Sequence, residues 1–547
     1  MSDAQPPSAS AGGVTVANSG PTLLQPRDAV LGAAIDDGVP AAIVAKDATL
    51  WGPEATAEAS VRLGWLDCTQ VSRPLLAEIE RLRDDLQARG VNRIVLAGMG
   101  GSSLAPEVIT KTYGVDLTVL DTTDPHQVLA ALVDLDRTAI VVSSKSGGTI
   151  ETDSHRRAFE RAFRDAGIDP AERIVVVTDP GSPLERTARD AGYHVFLADP
   201  NVGGRYSALT AFGLVPSGLA GVPVAELLDQ AAGVEPSLAQ PKGNPALLLG
   251  AALGGFGNAG HDKVVIADAG SGIEGFADWA EQLIAESTGK NGRGLLPVAV
   301  EGVDAPGFVE TSDTHLVALG AEPATLPTGT VVGGPLGAQL LVWEFATAVA
   351  GRALQIDPFN QPNVQESKDN TKAVLEKAGD GPLPEGDPVF VDGAIEVHAD
   401  RSLLGSARSV GDVIDALLDA VGDRGYLAVM AYLDRIAETR AAGLRSTLAR
   451  RLTHPVTFGW GPRFLHSTGQ FHKGGPQVGV FLQITGAHTE DLDIPGQPFT
   501  FGRLQLAQAL GDLQALESRG RPVVRLHLTD RAEGLRQLLA AAEGAPA

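Results

Sequence analysis

The sequence predicts an α/β protein built on doubly wound parallel sheets, and three observations carry that expectation. From Val91 onward, short β-rich runs alternate with helical stretches. Two of those runs end in glycine–hydroxyl turns that open straight into helices. The alternation then starts again further along the chain, which at 547 residues is too long for a single hydrophobic core.

In order along the chain, strands are expected at 93–97, 117–120, 139–142, 174–177 and 194–197, with helices at 106–112, 127–132, 151–166 and 183–190 between them. A second unit begins with a strand at 263–267 and a helix at 276–286, followed by helical pattern at 336–354 and 361–377. Residues 378–388 (AGDGPLPEGDP) are dense in Gly, Pro and Asp and read as a linker. Beyond it come helices from Val410 and up to Leu448, strands at 425–430, 456–459, 479–485 and 522–528, and a short final helix. The expected division is an N-terminal helical and extended segment 1–90, a first sheet domain 91–240, and the first part of a second domain 241–377. A C-terminal α/β region 378–547 is expected to complete the second sheet.

Hydrophobic residues make up 44% and charged residues 20%, a globular balance. The net charge of −24 repels nucleic acid and anionic membranes, so neither is an expected partner. Any phosphate pocket must be a local arrangement of amides and basic groups. Cys68 is the only cysteine, which excludes an internal disulfide and a thiolate metal cluster. Residues 1–20 lack the basic start and apolar run of a signal peptide, and no stretch has the length of a membrane span, so a cytoplasmic location is expected.

The first strand leads into Gly98-Met-Gly-Gly-Ser-Ser-Leu-Ala-Pro106. Glycines let a backbone approach a ligand closely, and a helix start offers free N–H groups; a tight strand–helix turn fits the same residues. A dinucleotide fingerprint competes, with Gly98, Gly100 and a ribose-binding acid at Asp121, but Ser103 stands where its third glycine belongs. The third strand ends in Ser143-Ser-Lys-Ser-Gly-Gly-Thr-Ile-Glu-Thr152. Its hydroxyls at a helix N-terminus suit a phosphomonoester, though Ser and Thr also cap helices without any ligand. Two such loops on neighbouring strand ends favour a phosphosugar site, of the kind that sugar isomerase (SIS) domains carry.

Other segments hold candidate reactive groups. Glu286 and Gln282 are four residues apart on one helix face, although a carboxylate at a helix end is usually solvated. Arg205 follows two glycines in Val202-Gly-Gly-Arg-Tyr, which suits either a guanidinium aimed into a cavity or a structural ion pair. Lys368 lies on a helix where its spacing alone does not single it out. His466 sits in the polar, glycine-rich segment Leu465-His-Ser-Thr-Gly-Gln-Phe-His472 between two strands. His466 and His472 are too few for a metal site without a third ligand.

Segments 98–106, 144–152, 202–210, 282–290 and 359–368 together resemble the signature blocks of the phosphoglucose isomerase family, in that family's order. The resemblance implies two SIS-type sheets, an aldose–ketose isomerisation of glucose 6-phosphate and fructose 6-phosphate, no cofactor, no metal, and a homodimer. Ser144, Lys145, Ser146 and Thr149 then resemble the phosphate loop, and Gly101 with Ser102 the other loop at the substrate. Glu286 resembles the base that shuttles a proton between C1 and C2, Arg205 the cation beside the enediolate, and Gln282 a substrate-contacting amide. Lys368 resembles a lysine that assists ring opening. Another SIS isomerase or a non-catalytic sugar-phosphate sensor would share the loops.

One departure stands out. In the common bacterial order, a Leu-His-Ser-x-Gly-Gln block with the ring-opening histidine lies between the Glu and Lys blocks. Here that interval holds only His315, without the block, while Leu465-His-Ser-Thr-Gly-Gln470 follows Lys368. A similar order occurs in isomerase regions fused to transaldolases. The expectation is that His466 is the ring-opening histidine and that His315 is structural.

Overall fold

The structure, a computed structural model, describes residues 8–320, 326–379 and 381–544. Among these, three sheets form the framework.

The first sheet runs, from edge to edge, Thr118–Leu120, Arg93–Gly98, Thr138–Ser143, Ile174–Thr178, His194–Leu197, all parallel. Its central strands are near-continuous apolar runs because helices cover both faces, and Ile140, Val141, Val142 and Val176 are fully buried. Numbered by position in the chain, the spatial order is 2-1-3-4-5. The direction of winding therefore reverses between Arg93–Gly98 and Thr138–Ser143, where this class of sheet opens a crevice for ligands. Both glycine–hydroxyl loops leave from that pair of strands.

The second sheet runs Ser8–Ala11, Val14–Ser19, Gly329–Gly333, Thr314–Leu319, Lys263–Asp268, Leu296–Val300. Its last four strands are parallel, and an N-terminal hairpin adds to Gly329–Gly333 in antiparallel fashion. Segment 1–90, expected to be helical and extended, thus contributes two strands to this sheet.

The C-terminal region differs from expectation. It does not add strands to the second sheet but builds a third: Phe390–Asp392, Ile395–Ala399, Val523–Leu528, Gly479–Gly486, Tyr426–Tyr432, Val456–Trp460. This sheet repeats the plan of the second, a 2-1-3-4 parallel core flanked by an antiparallel hairpin on the fourth strand. What the region completes is the core beneath the second sheet. Val265, Leu296 and Val298 share one apolar cluster with Tyr426, Ala428 and Phe464. Burial accounts for the contact: the face of the second sheet turned toward the C-terminal region has apolar area that this shared cluster covers.

Two helices frame the site. Phe276–Thr288 follows the second sheet's first strand, and Ile150–Asp165 follows the loop after Ser143. No helix among the described residues is long and apolar enough to cross a membrane.

Candidate active site

The first loop is shaped by close approach. Gly100 has φ +56°, and a Cβ there would lie 2.6 Å from Gln282 Nε2 and 3.0 Å from the His466 carbonyl oxygen. A Cβ on Gly101 would lie 1.9 Å from the Gly204 carbonyl oxygen. Glycine is thus required because the loop presses on the Arg205 turn and on Gln282. Ser103 does not cap the following helix; its hydroxyl donates to the Gly100 carbonyl at 3.1 Å, and Ser102 is buried beside it.

In the second loop the Ser144 hydroxyl donates to Thr149 Oγ1 at 3.0 Å. Thr149 occupies the N-cap of Ile150–Asp165 but makes no capping bond with its side chain, so capping does not account for this hydroxyl. Ser146 receives the Gly148 amide at 3.2 Å and lines an open cleft of about 850 Å³. Lys145 turns to Asp179 at 2.5 Å and to the Pro200 carbonyl at 3.3 Å.

Arg205, 3% exposed, is held on every side. Its Nε donates to Ser287 Oγ at 2.7 Å, Nη1 to Gln361 Oε1 at 2.9 Å, and Nη2 to the carbonyls of Pro358 at 2.6 Å and Asn360 at 3.2 Å. Lys290 grips the same turn from the Asp357 carbonyl to Asn360. So fixed, Arg205 Nη1 stands 3.5 Å from Glu286 Oε1. Gln282 Nε2 donates to Glu286 Oε2 at 3.0 Å and to the His466 carbonyl at 2.9 Å. The helix-face pairing of Gln282 with Glu286 is therefore realised, and Glu286 is 8% exposed rather than solvated.

His466 arrives from the C-terminal region. Its Nε2 pairs with Glu151 Oε1 at 3.0 Å, and Glu151 also accepts from Gln508 Nε2 at 2.8 Å. Burial alone would push the Glu151 carboxyl up, but the charge and hydrogen bond of His466, with Lys368 adding its charge, hold it down to about 2. His466, Glu151, Ser146 and Lys368 all line the cleft. Glu286, Arg205, Gln282, Ser144, Thr149, Gly101 and Ser102 do not line it; they connect to it through the two loops and the His466 segment.

His315 lies elsewhere. It is fully buried in Thr314–Leu319, with Nε2 2.7 Å from Thr330 Oγ1 and its ring against Phe256. Burial and the nearby His261 push its pKa down to about 3. His472 bonds the Tyr426 hydroxyl at 3.0 Å in the core and does not join His466. Asp121, the acid a dinucleotide would need, is a buried partner of Arg463 at 2.5 Å and Arg435 at 3.4 Å.

Sequence reasoning missed Glu151 and Gln508. An acid in the first turn of a helix is commonplace, and Gln508 comes from Phe501–Glu517, a helix without an evident pattern signal. It also missed a trio, Asp124, His126 and His488, whose ligand atoms lie within 4.8 Å of one another. Arg531 Nη1 sits among them, 2.9 Å from Asp124 Oδ2, 3.1 Å from His126 Nδ1 and 3.4 Å from His488 Nδ1. A guanidinium thus takes the place where a metal ion would go.

The phosphoglucose isomerase family model matches residues 84–294. That span holds both loops, Arg205, Gln282 and Glu286, and stops before Lys368 and His466. A "Probable glucose-6-phosphate isomerase" of Haloarcula marismortui is 30% identical over 341 residues, covering 52% of this chain and 78% of the relative. A "Glucose-6-phosphate isomerase" of Cyanothece sp. is 35% identical over 236 residues, covering 41% of this chain and 44% of the relative, so the chain spans less than half of that protein. Among solved structures, a glucose-6-phosphate isomerase from Chlamydia trachomatis superposes with a TM-score of 0.54 at 20% identity. That superposition covers 69% of this chain and 90% of the other, a likeness of fold.

Proposed function

The chain belongs to the phosphoglucose isomerase family, and on that premise we propose that it interconverts glucose 6-phosphate and fructose 6-phosphate through a cis-enediolate. The observation that carries this reading is the fixed Arg205 guanidinium 3.5 Å from the Glu286 carboxylate, with Gln282 tying Glu286 to the His466 segment. A base beside a buried cation is what proton transfer α to a carbonyl needs.

In this reading the phosphate rests on the 144–149 hydroxyls and the first-turn amides of Ile150–Asp165. His466 and Lys368 act on the ring oxygen and the anomeric hydroxyl. One proton arrives at the ring oxygen as the C1–O bond breaks, and one leaves the hydroxyl, so charge is conserved. Glu151, kept ionised, orients the imidazole. Glu286 removes the C2 proton and returns it at C1, while Arg205 faces the enediolate oxygens. Lys145, paired with Asp179, acts by bracing the phosphate loop. The enzyme works without metal or cofactor, as a cytoplasmic homodimer.

A coupled assay of the purified protein tests this. Glucose 6-phosphate should form from fructose 6-phosphate, unchanged by a chelator, with mannose 6-phosphate a poor substrate. Absence of turnover, or loss with chelator and recovery with a divalent ion, overturns the reading. Sedimentation velocity measures the expected dimer.

A further inference from the structure

The second sheet has a switch point of its own. It lies between Lys263–Asp268 and Thr314–Leu319, the first and third strands of its 2-1-3-4 core, and Leu319 stands opposite Asp268. A cleft of about 620 Å³ opens there, bounded by the strand ends Asp268, Val300 and Leu319 and closed on the far side by Phe458, Trp460 and Phe464 of the C-terminal region. In the first sheet the equivalent place carries hydroxyls. Here it carries Asp268, Glu274, Asp278, Glu281 and Glu301.

The two arginines on this cleft are already engaged. Arg463 pairs with Asp121 and Glu107, and Arg445 with Glu301. Glu281 is 9% exposed, accepts no hydrogen bond and has no ion-pair partner within 4 Å among the described residues. Burial, and then the charge of Asp278, raise its pKa well above the ordinary carboxyl range. A buried carboxylate without a partner is costly, and a like charge beside it adds to the cost. A cation between them removes both penalties. A metal ion fits less well than an organic one: among the described residues no third His, Cys or carboxylate ligand atom joins Asp278 and Glu281, and Phe458 and Trp460, edge to face at 4.9 Å, offer aromatic surface to an ammonium.

We propose that this cleft is a second ligand site, separate from the isomerase cleft, for an organic cation with a protonated amine on an apolar chain. On the helix Phe276–Thr288, Asp278 and Glu281 line this cleft, whereas Gln282 and Glu286, nearer its C-terminal end, bond each other and do not line it. The size suits a small molecule, and the carboxylates with an aromatic wall suit its charge and its chain.

Isothermal titration calorimetry with spermidine tests it on the full chain, with magnesium chloride as a separate arm. The expected result is saturable spermidine binding that falls at least tenfold in the D278N/E281Q double variant and also falls in W460A, while E286Q binds as the wild type does. The neutral isosteres remove one buried charge at Glu281 and the like charge of the exposed Asp278 beside it, so the double variant is expected to keep its circular dichroism and melt no lower than the wild type. Four outcomes overturn the proposal: no saturable binding, binding equal in wild type and double variant, loss in E286Q instead, or preference for magnesium over spermidine.

Discussion

The His466 imidazole Nε2 lies 3.0 Å from the Glu151 carboxylate, although 315 positions separate the two residues. Glu151 belongs to the helix that follows the second loop, and His466 to a turn of the C-terminal region. The relocated histidine segment therefore reaches the first sheet's crevice from the other end of the chain. We expect H466A to lower turnover of the cyclic sugar by about 100-fold or more, the usual scale of an acid–base group. E151Q should give a smaller loss and alter the pH profile of kcat, because the amide neither fixes the imidazole's tautomer nor supports its charge. H315A should retain turnover per folded molecule. Steady-state kinetics with circular dichroism as the folding control decide it; activity lost in H315A and kept in H466A would refute the assignment.

Replacing Glu286 with Gln keeps its shape and its contact with Gln282 but removes the proton acceptor. Turnover should fall by about 100-fold or more while KM changes little. More than about a tenth of the activity remaining would be inconsistent with a general base.

Ser144→Ala, Ser146→Ala and Thr149→Ala should each weaken phosphate binding by about 1.5–3 kcal/mol, the worth of a donor to a charged acceptor. Ser144 and Thr149 share a hydrogen bond, so their double variant should lose less than the sum. Inhibition constants for inorganic phosphate give the comparison, and values unchanged in all three would remove this loop from the site.

Gly101→Ala should be harmful out of proportion to its size, because the added Cβ would meet the Gly204 carbonyl at 1.9 Å. Relief requires the Arg205 turn to move, so kcat should fall more than KM rises, with about 1–3 kcal/mol lost in stability. A variant with wild-type kcat would show that the position of this turn does not matter.

Stability should fall in acid partly through His315. Its folded pKa of about 3 is below the ordinary value near 6.5, so the unfolded chain binds a proton that the folded chain refuses. The contribution is complete above about pH 6.5 and is lost as pH falls toward 3. In H315Q the group cannot titrate, and the decline in denaturant midpoint between pH 6.5 and 4 should flatten. Parallel profiles would contradict this.

By itself the sequence determined the parallel α/β class, the strands of the first sheet to within a residue at most ends, and the loops at its switch point. These are local signals: apolar runs of strand length, and glycines where a backbone must turn. It also placed Glu286 and Gln282 on one face, because helical spacing alone brings residues four apart together. Only the tertiary structure decided that residues 8–19 edge the second sheet, that the C-terminal region forms a third sheet on the same plan, and that Glu151 rather than solvent meets His466. Strand partners and buried ion pairs join residues hundreds of positions apart. What selects them is the apolar area left to cover and the charge left to satisfy once the local elements exist, and neither quantity is written in any one stretch of the chain.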